Sequence, residues 1–452
     1  SAMPLYRKMY AHLLEWKNNR NRKPLIIRGA RQVGKSTLVN DFAREFRFFI
    51  SVNLEKREDK QIFDTLHETR DIINALFLRA GVPLTDQPTL IFLDEIQESP
   101  EAVTQLRYFH EEYPELYFIA AGSLLEFALK RIPSFPVGRV EQVVLHPFDF
   151  EEFLLAMDRK DIMAELDNIP FNNYAHDSVL RLFHDYAIIG GMPEVIKQYS
   201  DERNFINLGS IYSNLWQSYR DDIEKYGSNE TERRILRHII DTAPYENDRI
   251  TMAGFGNSQY RSREIGEALR ALDLARIIQL IYPTTNLTPP VIPDLKRKPR
   301  LQFLDTGLLN HALGIQSDLL GLMDLNSIYK GRLIQHLAAQ QFQAQTTSPL
   351  YKTLFWVREK VNSNAEVDLV YQSGKHIIPV EVKSGAQGSL RSLHQFVERS
   401  ENKVAIRLLA NRFSLEKTKT PAGTPYLLLN MPYYTSTRIQ KYAEWLINQS
   451  RM

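Results

Sequence analysis

The segment IIRGARQVGKST, residues 26–37, places a glycine-bearing loop between an apolar strand and the start of a helix. Its G-x-x-x-x-G-K-S spacing is that of a phosphate-binding loop (P-loop), whose backbone N–H groups point toward phosphate oxygens. In such a loop the lysine reaches the β- and γ-phosphates and the serine hydroxyl ligates Mg²⁺. The sequence therefore predicts a nucleoside triphosphate site. The expected contact residues are Gly29, Ala30, Arg31, Gln32, Val33, Gly34, Lys35, Ser36 and Thr37.

A second motif, TLIFLDE at residues 89–95, predicts what happens to the bound nucleotide. It has the apolar run of a buried parallel strand and ends in two adjacent carboxylates. At the carboxyl end of such a strand Asp94 can hold the Mg²⁺ shell, and Glu95 can polarise a water for attack on the γ-phosphate. The pair favours hydrolysis over binding alone, although two solvated acids in a turn would give the same pattern.

The elements between these motifs predict the order of the sheet. An extra strand at residues 47–53 and a long helical stretch over residues 60–80 separate the P-loop from the acidic strand. The two strands are therefore not expected to be consecutive neighbours. A further strand at residues 116–123 ends on Ser123. Its hydroxyl can contact the γ-phosphate or the attacking water, or it can satisfy local backbone.

With these motifs the chain resembles the AAA-type ATPases, and within them the prokaryotic family whose ATPase module is followed by a domain of unknown function. The matching segments, from residue 25 to residue 385, are RGARQVGKSTL, LIFLDEIQ, FIAAGSLLEF, GRVEQVVLHPFDFEEFL, YAIIGGMPEVI, LQFLDTGLL, EVDLV and VEVKSG. The resemblance implies that Lys35 and Ser36 contact phosphate and metal and that Asp94 is a metal ligand. It also implies that Glu95 is the catalytic base and Ser123 a sensor-like residue.

The same resemblance adds an arginine to the site. Arg139 follows a glycine just before the apolar strand at residues 140–145, and it matches a recurring Gly-Arg of the family. An arginine on the transferred phosphate stabilises the developing charge. An arginine in a surface ion pair would give the same pattern, so both interpretations stay open.

Composition restricts the class of protein. The 452 residues suggest about three domains, and a hydrophobic content of 43% supports several cores. The net charge is +2, so no global field directs the chain to DNA or to an anionic membrane. There is no cysteine, which excludes disulfides and thiolate metal sites. We expect a cytoplasmic protein without a membrane partner, because no apolar run approaches the roughly 20 residues that span a bilayer. The start Ser1-Ala2 has no signal-like pattern and is expected to be a cloning remnant.

The middle of the chain predicts a helical module with a winged-helix-like end. Helices are expected at residues 206–226, 230–242 and 262–272, and strands at residues 277–282 and 301–304. The loop between the strands holds the basic cluster Lys296-Arg297-Lys298-Pro299-Arg300. This cluster could neutralise phosphates of a duplex, with the helix around Arg263 and Arg270 near the major groove. It could equally be a solvated hairpin on a module that transmits motion or joins subunits.

The last third of the chain contains a second set of candidate residues. Strands at residues 365–371 and 376–383 form a hairpin, with Glu381 and Lys383 on one face and Asp368 within reach across it. Two carboxylates that share a metal beside a lysine suit phosphodiester hydrolysis. These residues resemble the PD-(D/E)XK nuclease signature, which implies Asp368 and Glu381 as Mg²⁺ ligands and Lys383 as a catalytic residue. Where many members of that fold offer a glutamate, this chain offers Gln335, whose amide cannot supply a negative charge.

These observations together predict an α/β protein of four parts. They are an AAA-type P-loop ATPase core with a parallel sheet at residues 1–147, a helical lid at 148–204, a helical and winged-helix-like domain at 205–315, and a mixed α/β restriction-endonuclease-like domain at 316–452.

Three functions remain open, all of which use ATP and Mg²⁺. The first is an ATPase coupled to a nuclease-like domain that acts on nucleic acid, with DNA favoured over RNA. The second is a regulatory ATPase whose nuclease-like domain is an inactive module that binds nucleic acid or a protein partner. The third is a nucleotide or small-molecule kinase. AAA-type relatives are often rings, so the resemblance also allows a homo-oligomer.

Overall fold

The structure, a computed structural model, describes residues 4–123, 138–321, 325, 331–382 and 390–452. It divides into two compact units. The first comprises Ser1–Pro147, Leu274–Ile277 and Thr347–Leu350, and the second comprises Phe148–Asp273, Ile278–Thr346 and Tyr351–Met452. The stretches expected to form the lid, the winged-helix-like domain and the C-terminal domain thus all lie mainly in the second unit. No described helix combines the length and apolarity needed to cross a bilayer.

The first unit is built on a five-stranded parallel sheet. Its strands are β1 Leu25–Arg28, β2 Phe48–Asn53, β3 Thr89–Asp94, β4 Tyr117–Gly122 and β5 Glu141–Val144. Their order is β2-β3-β4-β1-β5, so β4 separates the P-loop strand β1 from the acidic strand β3, as predicted. Strand β3 is buried from Thr89 to Leu93, as expected for a parallel strand covered on both faces.

Five α-helices are described in the first unit: α1 Met9–Asn18, α2 Lys35–Phe42, α3 Arg57–Thr65, α4 Thr69–Ala80 and α5 Pro100–Glu112. The prediction of one long helix over residues 60–80 is wrong, because the chain breaks between α3 and α4. The side chain of Gln105 on α5 stabilises the break. Its Nε2 donates to the carbonyl of His67 at 3.3 Å, and its Oε1 accepts a hydrogen bond from Thr69 Oγ1 at 2.8 Å.

The second unit combines many helices with a mixed sheet. Its described helices are α6 Phe150–Ala156, α7 Lys160–Leu166, α8 His176–Ile189, α9 Pro193–Glu202, α10 Gly209–Tyr226, α11 Glu230–Thr242, α12 Ser262–Leu274, α13 Thr306–Leu313, α14 Gln316–Leu319, α15 Arg332–Ala344, α16 Arg391–Arg399 and α17 Ile439–Ser450. Its described strands are β6 Ile278–Ile281, β7 Pro283–Thr284, β8 Arg300–Phe303, β9 Leu354–Val357, β10 Glu366–Ser373, β11 His376–Val382, β12 Val404–Leu409, β13 Ser414–Lys419 and β14 Pro425–Pro432.

The larger sheet of the second unit has seven strands in the order β13-β14-β12-β11-β10-β9-β7. Strands β10 and β11 form the predicted antiparallel hairpin, and Leu369 pairs with Val380. The turn between them contains Gly374 at φ +57°, a left-handed conformation that favours glycine. This register places Asp368 opposite Glu381. Strand β13 and helix α17 were not predicted from the sequence.

The middle elements have the predicted order, with helices α11 and α12 followed by the antiparallel pair β6 and β8. That they act as a winged helix stays a prediction. The middle elements and the lid stretch are joined by a buried carboxylate, Asp305. Its Oδ1 accepts a hydrogen bond from the N–H of Gly191 at 2.6 Å, and its Oδ2 accepts one from the N–H of Leu308 at 3.0 Å. Burial raises the pKa of this carboxyl.

The lid stretch is also bonded to the C-terminal stretch by an ion pair between Arg438 and Glu151. The Nη2 of Arg438 lies 2.7 Å from the Oε1 of Glu151, and the two side chains are 11% and 2% exposed. Breaking such a buried pair by removing one partner is costly, because the remaining charge is left unpaired. The predicted lid and C-terminal stretches are therefore parts of one packed body.

Candidate nucleotide-binding site

The P-loop connects the end of β1 to the start of α2. Gly29 has φ +151° and Gly34 has φ +98°, conformations that side chains with a Cβ rarely adopt. A Cβ at Gly29 would also lie 2.6 Å from the carbonyl oxygen of Leu145, so the loop approaches the end of β5 too closely for any larger residue. Gln32, at φ +71°, is a non-glycine residue with a positive φ in this loop. The glycines thus allow the bend that the sequence predicted.

Lys35 is the first residue of α2 and is buried, with 6% of its surface exposed. Its Nζ donates hydrogen bonds to the carbonyl oxygens of Gly29 and Ala30, both at 2.8 Å. The ammonium therefore lies inside the loop that it was predicted to serve. To reach a phosphate it must exchange these carbonyls for phosphate oxygens, which is a short movement of a flexible side chain.

The hydroxyl of Ser36 lies beside the acidic strand. Ser36 Oγ donates to the Oδ2 of Asp94 at 2.6 Å, and the Oδ1 of Asp94 accepts from the N–H of Glu95 at 2.9 Å. Burial raises the pKa of the Asp94 carboxyl, while the hydrogen bond from Ser36 acts in the opposite direction. The structure therefore brings together the predicted metal ligands of this site.

These two side chains fit the Mg²⁺ that accompanies a nucleotide. A hydroxyl and a desolvated carboxylate are hard oxygen ligands, and Mg²⁺ in nucleotide sites takes only a few protein ligands beside phosphates and water. Among the residues that the structure describes, no group of three or more Asp, Glu, His or Cys side chains could hold a metal ion. Ser36 and Asp94 would thus share the ion with the nucleotide.

Glu95 follows β3 in a left-handed conformation, at φ +53°. A non-glycine residue in this region is strained, and such strain is concentrated at functional sites. The Oε2 of Glu95 accepts a hydrogen bond from the Nε2 of Gln97 at 2.5 Å. Gln97 packs against Gly122, where a Cβ would lie 2.4 Å from its Oε1. Sequence reasoning missed Gln97, although it is part of the same LIFLDEIQ segment.

Ser123 is buried at the carboxyl end of β4, at 5% exposure. The neighbouring residue Gly122 pairs with Arg28, the last residue of β1. Ser123 therefore follows β4 at the level where the P-loop begins. This position suits the predicted sensor role, which stays a prediction.

Arg139 is placed far from the P-loop of its own chain. It precedes β5, whose first residue Glu141 pairs with Leu25 at the amino end of β1, whereas the P-loop follows the carboxyl end. At about 3.3 Å per residue, the length of β5 separates the two edges. The Nη1 of Arg139 lies 3.2 Å from the Oε1 of Glu111. Arg139 thus forms the surface ion pair that the sequence allowed, and a role at a phosphate stays a prediction.

The C-terminal candidate residues lie on the hairpin of β10 and β11. The N–H of Asp368 donates to the Oε1 of Glu381 at 3.3 Å, and Glu381 is 1% exposed. The Oδ2 of Asp368 accepts from the N–H of Val382 at 2.8 Å, and its Oδ1 accepts from the Nε2 of Gln335 at 3.1 Å. The structure thus brings Asp368, Glu381 and Gln335 together. Lys383 lies outside the described residues.

The contacts of Asp368 resemble those of Asp94 in the P-loop site. Each of its carboxylate oxygens accepts one hydrogen bond from an N–H group, which leaves a lone pair on each oxygen, and the side chain of Glu381 is buried. Mg²⁺ requires oxygen ligands that can approach it in an octahedral arrangement. The amide of Gln335 directs a donor, not a further negative charge, toward Asp368. The metal role of Asp368 and Glu381 stays a prediction.

The basic cluster at residues 296–300 is less exposed than the sequence suggests. Arg300 is 8% exposed, and its guanidinium lies 3.9 Å from the centroid of the Phe355 ring. Its Nη2 donates to the carbonyl oxygen of Asp368. Burial lowers the pKa of Arg300, although the negative charges of Glu366 and Asp368 oppose this effect. Arg300 thus supplies a fixed cation beside the C-terminal candidate residues.

The rest of the cluster is only partly available to a nucleic acid. The Nε of Arg297 pairs with the Oδ2 of Asp294 at 2.9 Å. Lys296 and Lys298 are exposed. On helix α12, Arg263 pairs with Glu267 at 3.1 Å. The positive charge of this surface is therefore weaker than the five-residue motif suggested.

Comparison with known families assigns the first domain. Residues 21–154 match the family model described as an AAA domain, and this segment is an AAA-type P-loop ATPase domain. Residues 180–319 and residues 330–427 match two further families, each described as a domain of unknown function. No curated protein matches the chain.

Several solved structures are similar to the chain at low identity. The Walker-type ATPase of Pyrococcus abyssi is 14% identical over 69% of this chain and 99% of its own, with a TM-score of 0.44. The ORC1 protein of Aeropyrum pernix, in complex with DNA, is 13% identical over 69% and 93%, with a TM-score of 0.30. A RuvB variant of Thermotoga maritima is 16% identical over 64% and 91%, with a TM-score of 0.27. Since all three TM-scores lie below 0.5, the assignment of the first domain depends on the family model and on the site geometry.

Proposed function

We propose that the chain is an ATP-hydrolysing switch and that its nucleotide cycle regulates binding of a partner by the second unit. The observation that supports hydrolysis best is the 2.6 Å hydrogen bond from Ser36 Oγ to Asp94 Oδ2, with Glu95 as the next residue. A P-loop alone would support binding only. A P-loop hydroxyl in contact with one acid, beside a second acid in a strained conformation, supports cleavage of the γ-phosphate.

Each residue of the site has a defined part in this proposal. Lys35 leaves the carbonyls of Gly29 and Ala30 and binds the β- and γ-phosphates. Ser36 and Asp94 hold Mg²⁺, which when bound neutralises charge on the phosphates. Glu95 leaves the amide of Gln97 and accepts the proton of the attacking water, a contribution of about 10²–10⁴ in rate for a positioned base.

For the C-terminal stretch we favour a binding module without nuclease activity. The amide of Gln335, at the position where the nuclease signature offers a glutamate, donates to Asp368, and the guanidinium of Arg300 donates to the carbonyl oxygen of Asp368. A nuclease of the PD-(D/E)XK type, with Asp368, Glu381 and Lys383 around Mg²⁺, is the second candidate. The D…E-x-K pattern on a hairpin with the predicted register supports it.

The partner of the second unit is proposed to be nucleic acid, with DNA favoured, or a protein. The exposed Lys296 and Lys298 and the exposed Arg270 support a nucleic-acid contact. A homo-oligomer is proposed as well, because Arg139 is remote from its own P-loop and could serve the site of a second copy. We also propose a cytoplasmic location, which the absence of cysteine supports.

Phosphate release from MgATP tests the first part of the proposal. The wild-type chain is expected to release phosphate, and Glu95→Gln is expected to bind ATP normally but to hydrolyse it at least a hundredfold more slowly. The matched control is Glu101→Gln, which changes an exposed acid at the start of α5. Equal turnover by Glu95→Gln and wild type would remove Glu95 as the base. Transfer of phosphate to an acceptor other than water would favour a kinase.

Incubation with nucleic acid tests the second part. Wild type, Asp368→Asn and Lys383→Ala are each incubated with single- and double-stranded DNA and RNA in the presence of Mg²⁺, with and without ATP. A binding module predicts no cleavage by any of them, and ATP-dependent retention of one nucleic acid by all three. Metal-dependent cleavage that both variants lose would establish the nuclease. If no nucleic acid binds or changes ATP turnover, a protein partner becomes the better proposal.

A further inference from the structure

Arg7 is a buried cation that reaches the P-loop from a distant part of the sequence. It lies just before α1 and is 6% exposed. Its Nη1 donates to the carbonyl oxygen of Val33 at 2.9 Å, and its Nη2 donates to the carbonyl oxygen of His146. One guanidinium therefore joins the middle of the P-loop to the segment that follows β5. No motif in the sequence pointed to this residue.

The contact with Val33 fixes the direction of one peptide group. In a planar trans peptide the C=O of one residue and the N–H of the next point in opposite directions. The bond between Val33 and Gly34 is not among the cis peptides of the chain. Because Arg7 holds the Val33 carbonyl on its own side, the N–H of Gly34 points to the other side. A P-loop needs its N–H groups turned toward phosphate oxygens.

Because residue 34 is a glycine, the Val33–Gly34 peptide can rotate easily into another orientation. Its φ of +98° belongs to a region that only glycine enters readily, and a glycine can leave it with little resistance. A charge-assisted hydrogen bond to the preceding carbonyl is stronger than one between neutral groups. The two donors of Arg7 also hold the loop relative to His146, which limits rotation of the whole segment.

We propose that Arg7 is a positioning residue for the phosphate-binding loop, acting through the Val33–Gly34 peptide. This inference rests on the proposed nucleotide binding and names a residue that contacts neither ATP nor Mg²⁺. Arg7 prepares the Gly34 N–H for a phosphate oxygen before the nucleotide arrives. Its loss weakens binding of the di- and triphosphate and leaves the catalytic carboxylate of Glu95 in place.

Arg22 provides a matched control in the same unit. Its Nη2 also donates to backbone carbonyls, those of Pro114, Glu115 and Leu116, at 3.2 to 3.5 Å. Its guanidinium lies 3.5 Å from the centroid of the Tyr117 ring. Tyr117 begins β4, so Arg22 lies at the amino edge of the sheet, away from the P-loop. Both arginines stabilise backbone in the first unit, but only Arg7 touches the P-loop.

The test measures nucleotide affinity and thermal stability for wild type, Arg7→Ala, Arg7→Lys and Arg22→Ala. Calorimetric titration with MgATP and MgADP is expected to give at least tenfold weaker binding for Arg7→Ala, an intermediate loss for Arg7→Lys, and wild-type affinity for Arg22→Ala. In steady-state hydrolysis the loss is expected in KM, with kcat changed less than threefold. A merely structural role would lower the melting temperature in both alanine variants without this selective effect on KM.

Two results would overturn the proposal. One is wild-type affinity in Arg7→Ala, and the other is an equal loss of affinity in Arg22→Ala. If Arg7→Ala does not fold, Arg7→Lys serves as the test. Lysine keeps the positive charge but has one nitrogen in place of the two that contact Val33 and His146. Wild-type affinity in Arg7→Lys would also contradict the role. A wild-type chain that binds no ATP would instead contradict the proposed function, so the two failures are distinguishable.

Discussion

The hydroxyl of Ser36 and the carboxylate of Asp94 meet at 2.6 Å although 58 residues separate them in the sequence. The sheet explains this contact. Strands β1 and β3 flank β4 and run parallel to it, so the residues that follow their carboxyl ends converge on one edge. The P-loop leaves β1 at this edge, and Asp94 ends β3 there. The hydroxyl of Ser36 and the carboxylate of Asp94 thereby form a pair that can ligate one cation.

Removing the charge of Asp94 should weaken Mg²⁺ binding without unfolding the protein. In Asp94→Asn the amide oxygen can accept from the N–H of Glu95 and the amide nitrogen can donate to the hydroxyl of Ser36, so the fold should be retained. The variant should need at least tenfold more Mg²⁺ for half-maximal ATP hydrolysis, because a neutral amide is a weaker ligand for Mg²⁺. The measurement is a Mg²⁺ titration of phosphate release. Unchanged Mg²⁺ dependence would show that Asp94 does not serve the metal.

The buried His336 should make the second unit acid-sensitive. Its Nε2 accepts from the N–H of Phe303 at 2.9 Å, and its Nδ1 lies 2.8 Å from the Oγ1 of Thr306. Since Thr306 Oγ1 donates to Gln340, Nδ1 carries the proton and the ring is neutral. Burial lowers the pKa of His336 from 6.5 to about 3, and Arg332 adds to the shift. Protonation of Nε2 would place a second donor against the N–H of Phe303, so this hydrogen bond would be lost in the charged ring.

The sign of the pH effect follows from this depressed pKa. The unfolded chain binds the proton more readily than the folded chain, so the stabilisation is complete above pH 6.5 and is lost progressively as the pH falls toward 3. Between pH 7 and pH 5 this side chain alone should lower the free energy of unfolding by about 2 kcal/mol. Urea unfolding at both pH values measures it. His336→Gln should reduce this pH dependence, and His67→Gln, at an exposed position, should keep it. An unchanged pH dependence in His336→Gln would contradict the assignment.

Gly191 should be intolerant of any side chain. A Cβ there would lie 2.1 Å from the carbonyl oxygen of Phe148, and the N–H of Gly191 holds the buried carboxylate of Asp305. Gly191→Ala should therefore lower the free energy of unfolding of the second unit by about 3 kcal/mol. Gly209→Ala is the control, because a Cβ at Gly209 meets no atom within 4 Å and the residue begins a helix. The control should be neutral or stabilising by about 0.5 kcal/mol. Equal urea midpoints for the two variants would show that the contact with Phe148 can relax.

The sequence predicted the parts of the fold that depend on local patterns. Short motifs with fixed spacing predicted the P-loop, the acidic strand and the hairpin of β10 and β11. The order of elements between the two ATPase motifs predicted the separation of β1 from β3. The break between α3 and α4 was missed because the side chain that contacts both sides of it, Gln105, lies on another helix. Apolar periodicity records which face is buried but not which polar side chain interrupts a helix.

The candidate site was predictable to the same extent. Lys35, Ser36, Asp94 and Glu95 are identified by their positions in two motifs, and the structure brings Ser36 and Asp94 into contact. Arg7 could not be found, because a single arginine near the start of a chain carries no pattern. Arg300 was assigned to an exposed cluster since its neighbours are charged, yet its guanidinium turns inward over Phe355. The direction in which a side chain points depends on tertiary packing. The spacing of residues in the sequence does not reveal it.

The central claim is that the P-loop binds the phosphates of ATP, and calorimetric titration of MgATP into wild type and Lys35→Ala tests it most directly. Wild type should release heat on binding one nucleotide per chain. Lys35→Ala should bind at least tenfold more weakly, because it loses the ammonium group that is proposed to contact the phosphates. Lys17→Ala, which removes a lysine that donates to the carbonyl of Glu45, should bind as wild type does. No heat of binding in wild type, or equal affinity in wild type and Lys35→Ala, would contradict the account.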